Sequence, residues 1–174
     1  MTAWKIGRAM AAALLAASAI GCASASATSN KSTEYTKKLE RTLIVFPMDA
    51  KLKPYEQLFH QRLVEELQKR GVTSTFAKLA GDLDLEETSP LEKQAKDFDA
   101  STTMVIRRAS GVVNSSGAIM SARFDAQVFD LASKKRVWRA SIEYKAGGSL
   151  NSDQARVDAL VGELVNALAN DGLI

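Results

Sequence analysis

Few residues in this chain could do chemistry, and their spacing narrows what chemistry that is. Cys22 is the only cysteine among 174 residues. It follows Ala19-Ile20-Gly21, small or apolar residues and then glycine, the pattern of a bacterial lipobox. Met10 to Ile20 is uncharged and built almost wholly from Ala, Leu and Ile, with Lys5 and Arg8 ahead of it. A basic start, an apolar stretch of this length and a small-residue cleavage site read as an export signal, too short to cross a bilayer as a helix. Cleavage before Cys22 leaves its sulfur to carry diacylglycerol and its amine to carry an acyl chain such as palmitate. Each buried methylene contributes about 0.8 kcal/mol, so two or three chains anchor durably. Ala19 stands where Leu is more usual, and Ala23-Ser24-Ala25 offers the competing reading of an ordinary secretory cleavage. Ala rather than Asp after Cys22 implies, for a lipoprotein, the outer membrane.

Other candidates are weaker. His60 is the single histidine. A serine nucleophile needs such a base within hydrogen-bond reach, but no Gly-x-Ser-x-Gly elbow is present to display one. One histidine cannot build a multi-histidine zinc site, and lipid on Cys22 removes the sulfur ligand. Asp82-Leu83-Asp84-Leu85-Glu86-Glu87 spaces hard oxygen ligands as calcium loops do. The sixth position of that pattern wants Gly and has Glu87, and the twelfth wants Glu and has Lys93. A solvated acidic loop ahead of a helix is the simpler reading. Nothing resembles a dinucleotide, Walker, CxxC or HExxH motif. The expectation is therefore no catalytic residue, no cofactor and no metal.

Two groups could bind rather than react. Lys134, Lys135, Arg136 and Arg139 cluster at a hairpin, with Arg107 and Arg108 on another strand. They could meet phosphate groups, or simply guard a sheet edge. Trp138 and Tyr144 could stack on a sugar, but the core is the expected place for both. Without Lys5 and Arg8 the chain holds 21 basic against 20 acidic residues, a net of +1. Nothing in that balance points to nucleic acid.

Positioning these residues requires a fold. One cysteine excludes an internal disulfide, 46% hydrophobic and 25% charged residues fit a globular chain, and the length allows one domain. Residues 1–21 read as the signal and 22–39 as a lipidated cysteine on a flexible tether of Ala, Ser, Thr, Asn and Lys. Such a tether has a relaxed span of about 20–25 Å. Residues 40–174 read as a single periplasmic α/β domain. Leu43-Ile44-Val45-Phe46 is a short apolar run, hence a central strand. Pro54 opens a helix whose stripe is Tyr55, Leu58, Phe59, Leu63, Val64 and Leu67, and Gly71 stops it. Val72 to Leu79 is a second strand, parallel to the first. Ser89-Pro90-Leu91-Glu92 caps a short helix with Ala95 and Phe98 on its stripe. Thr102 to Ile106, continuing toward Val113, makes a third strand. Ala118 to Val128 alternates cleanly except at Ile119, so it is antiparallel and half exposed. Trp138, Ala140, Ile142 and Tyr144 line one face of a fifth strand. A last helix starts near Ser152, with Val157, Leu160, Val161, Leu164, Val165 and Leu168 on its stripe. The order β-α-β-α-β-β-β-α implies one mixed five-stranded sheet with helices packed on it.

That order, with a lipobox and a short tether, resembles the small envelope lipoprotein domains related to the TolB amino-terminal domain, CsgG and LpoB. The matching residues are the strand Leu43-Ile44-Val45-Phe46-Pro47, the helix end Glu66-Leu67-Gln68-Lys69-Arg70-Gly71, and the hairpin from Val128 through Asp130 to Val137-Trp138. The resemblance spans Arg41 to Leu173 and carries over no catalytic residue. It implies a non-enzymatic, membrane-anchored periplasmic domain that binds another envelope component as an accessory or assembly factor. The chain carries no propeller repeat and no hairpins long enough for a pore. The alternative is a lipid- or glycan-binding lipoprotein, its pocket lying between the last helix and the Ala118–Tyr144 hairpin. Ala118, Ala122, Ala126 and Ala140 could leave space there, or permit close helix packing.

Overall fold

A computed structural model describes residues 24–48, 52–78, 90–147 and 152–174. Cys22 and the acidic run Asp82 to Glu87 lie outside the described residues. The elements are β1 (Ser24–Lys31), β2 (Arg41–Val45), a 3-10 turn (Lys53–Tyr55), α1 (Glu56–Lys69), β3 (Thr73–Phe76), α2 (Pro90–Asp97), β4 (Thr102–Val113), β5 (Ile119–Asp130), β6 (Lys135–Lys145) and α3 (Asp153–Asn170). They form one sheet in the order β1-β6-β5-β4-β2-β3. β2 pairs in parallel with β3 and β4, and the other neighbours are antiparallel.

Each element follows from its residues. β2 is central, and both of its faces are closed: Leu43 and Ile44 are buried. Beside them the Thr42 and Thr102 hydroxyls, also buried, bond to each other at 2.8 Å and so satisfy each other. α1 buries Phe59, Leu63 and Leu67. It ends where Gly71 adopts φ +83°, letting the Val72 amide reach Leu67 O and the Gly71 amide reach Gln68 O. Only a residue free of a Cβ penalty closes a helix this way cheaply. α3 begins where Ser152 Oγ accepts the Ala155 amide at 3.2 Å. α1 and α3 lie against each other and against one sheet face. Gln94 of α2 holds Lys78 through both its amide and its carbonyl.

The sheet has six strands, not five, and the added one corrects the reading of residues 22–39. Ser24–Lys31 pairs with β6 along its whole length, from Ser24 opposite Lys145 to Lys31 opposite Trp138. Beyond it Tyr35 and Leu39 enter the core, and the Leu39 amide donates to Leu173 O at 2.7 Å. The segment is a sheet edge rather than a tether. Its alternation is between Ser/Thr/Asn on one side and Ala, Ala, Ser and Lys on the other. It lacks the large apolar period that marks a strand in sequence. Pairing with β6 supplies what its side chains do not.

Three irregularities of register set which side chains share a face. Ile119 is buried because Val112 pairs with Ser121 while Val113 pairs with Ile119, leaving Met120 over. A second shift lies between Arg108 and Ser110. The third leaves Val137 unpaired, since Val128 meets Trp138 and Phe129 meets Arg136. Val137 and Trp138 are consequently both buried, and Arg136 turns to the opposite face, where Arg139 already is.

Candidate functional site

The helix-covered face is structural. Trp138 is 1% exposed, and its Nε1 donates to Asp171 Oδ2 at 2.6 Å. Tyr144 is equally buried, so neither ring is free to stack on a sugar. Between α3 and the hairpin, Phe46, Phe59, Phe124, Val157 and Leu160 leave about 10 Å³, room for one water at most. The pocket expected there is therefore filled. Ala122, Ala126 and Ala140 let the helix approach instead of leaving space for a ligand.

His60 projects from α1 and stacks on Phe76, ring centroids 3.5 Å apart and 16° from parallel. Burial holds its pKa below the ordinary histidine value, against a weaker opposite pull from Glu56. Its Nε2 is buried and makes no hydrogen bond. No hydrogen bond joins it to a serine: Ser74 Oγ, two residues from Phe76 on the same strand, is likewise buried and without a partner. Nor do the described residues gather three groups able to hold a metal.

The hairpin is shaped by Asp130. Its Oδ2 accepts the Ser133 amide at 2.8 Å and the Ser133 hydroxyl at 2.7 Å. These bonds, the hydroxyl foremost, hold the Asp130 carboxyl below its usual pKa against the opposing effect of burial, and Lys37 at 3.8 Å adds to them. The basic residues then part company. Lys134 sits at the turn with φ +57°. Arg108 faces the helix side opposite Phe124, while Arg107 faces the open side opposite Asp125. Arg136 and Arg139 are exposed together on that open face.

Around these two guanidiniums β1, β6 and β5 form a shallow groove of about 420 Å³. One row across the three strands is Asn30, Arg139 and Gln127, and the next is Thr28, Ser141 and Asp125. Arg136 Nη1 donates to Gln127 Oε1 at 3.4 Å. Asp125 lies 3.9 Å from Arg123. Neither Arg136 nor Arg139 has a carboxylate within 4 Å among the described residues.

In fold the chain is similar to several solved bacterial proteins. A PelC dodecamer subunit from Paraburkholderia phytofirmans superposes with a TM-score of 0.55 at 11% identity, covering 83% of this chain and 96% of that one. Lipoprotein GNA1162 from Neisseria meningitidis gives 0.46 at 18% identity, over 75% of this chain and 99% of that one. TolB from Acinetobacter baumannii gives 0.42 at 13% identity, over 84% of this chain but only 31% of its own. At these identities the likeness is one of fold. No protein-family model matches the sequence, and neither does any curated protein.

Sequence reasoning found both arginines but not their setting. Composition places Thr28 and Asn30 in a tether, and the Val137 bulge that aligns Arg136 with Arg139 leaves almost no trace in composition. The one available signal was Val137 next to Trp138, two apolar neighbours in an otherwise alternating strand. Among the described residues no helix is long and apolar enough to cross a membrane.

Proposed function

We propose that the chain is an exported lipoprotein, held at the outer membrane through lipid on Cys22 with its domain in the periplasm. It works without catalysis, as an accessory or assembly factor that binds another envelope component. The observation that carries this reading is the pairing of Ser24. It is already held in β1 opposite Lys145, and Ala23 alone separates it in sequence from Cys22. Two Cα steps reach about 7 Å, so lipid on Cys22 holds the sheet edge directly at the bilayer. The end of the sheet held there carries Lys145, Ser121 and Val112, which lie in one row with Ser24. Val112 is the one large apolar residue exposed among those described, at 61%.

A hydrolase built on His60 is the competing reading; that ring stacks on Phe76, and its Nε2 is buried and makes no hydrogen bond to a nucleophile. Two measurements test the proposal. Mass spectrometry of the mature amino-terminal peptide should find diacylglyceryl and acyl groups on Cys22, and Cys22→Ser should move the protein from the membrane to the soluble periplasmic fraction. An unchanged distribution would remove the anchor. Crosslinking in living cells should then recover a reproducible adduct from the exposed sheet face. Adducts spread evenly over the whole surface would remove the binding role.

A further inference from the structure

We infer that the open face of β1, β6 and β5 is a binding site for an acidic glycan, with Arg136 and Arg139 as its anion-reading pair. This rests on the proposed role as a binder of envelope components and names the chemical class of one.

The argument begins with the bulge. In an unbroken strand Arg136 would share a face with Trp138 and enter the core. The extra residue, Val137, turns Arg136 out beside Arg139. Like charges brought together on one sheet face repel, and neither guanidinium has a carboxylate within 4 Å among the described residues, Asp125 of the groove lying 3.9 Å from Arg123 instead. On the same face Arg123 has Asp125, but Arg139 has no acidic partner among the described residues and Arg136 has only the Gln127 amide oxygen. Two planar guanidiniums with spare donors recognise carboxylate or phosphate oxygens in forked geometry.

The rest of the lining selects the kind of anion. Thr28, Ser141, Asn30 and Gln127 supply hydroxyl and amide groups that both donate and accept, as sugar hydroxyls require, and the Asp125 carboxylate across from Ser141 can accept from a sugar hydroxyl. No aromatic or large aliphatic side chain lines the groove, so it lacks the apolar centre of a protein-docking surface. A bilayer is disfavoured by position. Asn30 and Arg139 lie six residues along β1 from Ser24, about 20 Å at the rise of a strand. With Cys22 as the anchor, the groove stands clear of the headgroups that hold the sheet's other end. The width of three strands, about 10 Å, suits an extended chain of sugars.

The test uses the exported protein with Cys22→Ser, so that its outcome does not depend on lipidation. Amide shifts are followed by NMR while oligogalacturonate, neutral maltooligosaccharide, inorganic phosphate or phosphatidylglycerol vesicles are added. Oligogalacturonate is expected to shift Asn30, Gln127 and Arg139 saturably, and the neutral sugar is expected to leave them still. Arg136→Gln and Arg139→Gln should each weaken binding about tenfold with the remaining spectrum unchanged. Arg107→Gln, on the same face but outside the groove, should change affinity less than twofold. No saturable shift, or full binding by the double arginine variant, would overturn the site. Phosphate binding as tightly as the polymer, or saturation by vesicles alone, would overturn the glycan. Failure of the anchor shows separately, in the fractionation of the unaltered protein.

Discussion

Trp138 and Asp171 join the middle of the sheet to the end of the last helix: the indole Nε1 donates to the carboxylate Oδ2 at 2.6 Å. The bond closes a contact that begins in sequence at the Val137 bulge, which presses two consecutive side chains of β6 into the core. Trp138→Phe should keep most of the packing and lose the donor, costing about 1.5–3 kcal/mol because a carboxylate is left without it. Asp171→Asn retains an acceptor and should cost less. Urea unfolding of both variants checks the order. Equal stability of wild type and Trp138→Phe would mean the bond adds nothing.

The strand assignment of Ser24–Lys31 makes an equally direct prediction. Ala27 pairs with Ile142 and packs against the core. Ala27→Asp should destabilise the domain by about 1–3 kcal/mol, since a carboxylate must be desolvated or the edge released. In a tether the same change would stay within about 0.5 kcal/mol. Thermal melts separate the two.

His60 gives the domain a mild acid sensitivity of its own. Burial keeps its folded pKa below the unfolded value of 6.5. The unfolded chain therefore takes up a proton first. Stability is fully present above pH 6.5 and is lost as the pH falls from there toward the lower folded pKa. His60→Phe, which keeps a ring against Phe76, should flatten the stability curve across that window. Curves that remain parallel for wild type and variant would place the acid sensitivity elsewhere.

Two glycines should respond to the same substitution with opposite sign. A Cβ on Gly111 would come within 2.9 Å of the Ser121 carbonyl oxygen, a backbone atom that cannot swing aside. Gly111→Ala should cost about 1–3 kcal/mol and speed amide exchange around the β4–β5 ladder. Gly162 lies within α3 with nothing within 4 Å of its would-be Cβ. Gly162→Ala should stabilise by about 0.4–1 kcal/mol. Chemical denaturation of the pair gives the comparison in one experiment.

What could be read in the sequence was whatever large side chains or punctuating residues announce. Leu43 to Phe46 declares a central strand, Gly71 a helix end, and Ser152 a helix start, and each is found in place. β1 was hidden because Ser, Ala, Thr and Asn carry too little apolar contrast for their alternation to register. Ile119 did register, as a misfit in an otherwise regular strand, and the misfit was the mark of the Met120 bulge. The alanines of β5 and β6 left two readings open, and only the packing of α3 decides between them. The open-face groove depends on three strands and one bulge coming together, so its residues were legible singly but not as a site.

The edge position of β1 also has a mechanical side. Any tension arriving through the residues before Ser24 enters the molecule along the axis of a strand paired over eight residues with β6. Loaded that way, the hydrogen bonds of the ladder resist in parallel, as a lap joint does. They need not give way one after another like a zipper. A domain pulled between its amino terminus and the Asp130–Lys135 tip at the far end of the sheet would thus meet the load along its stiffest direction.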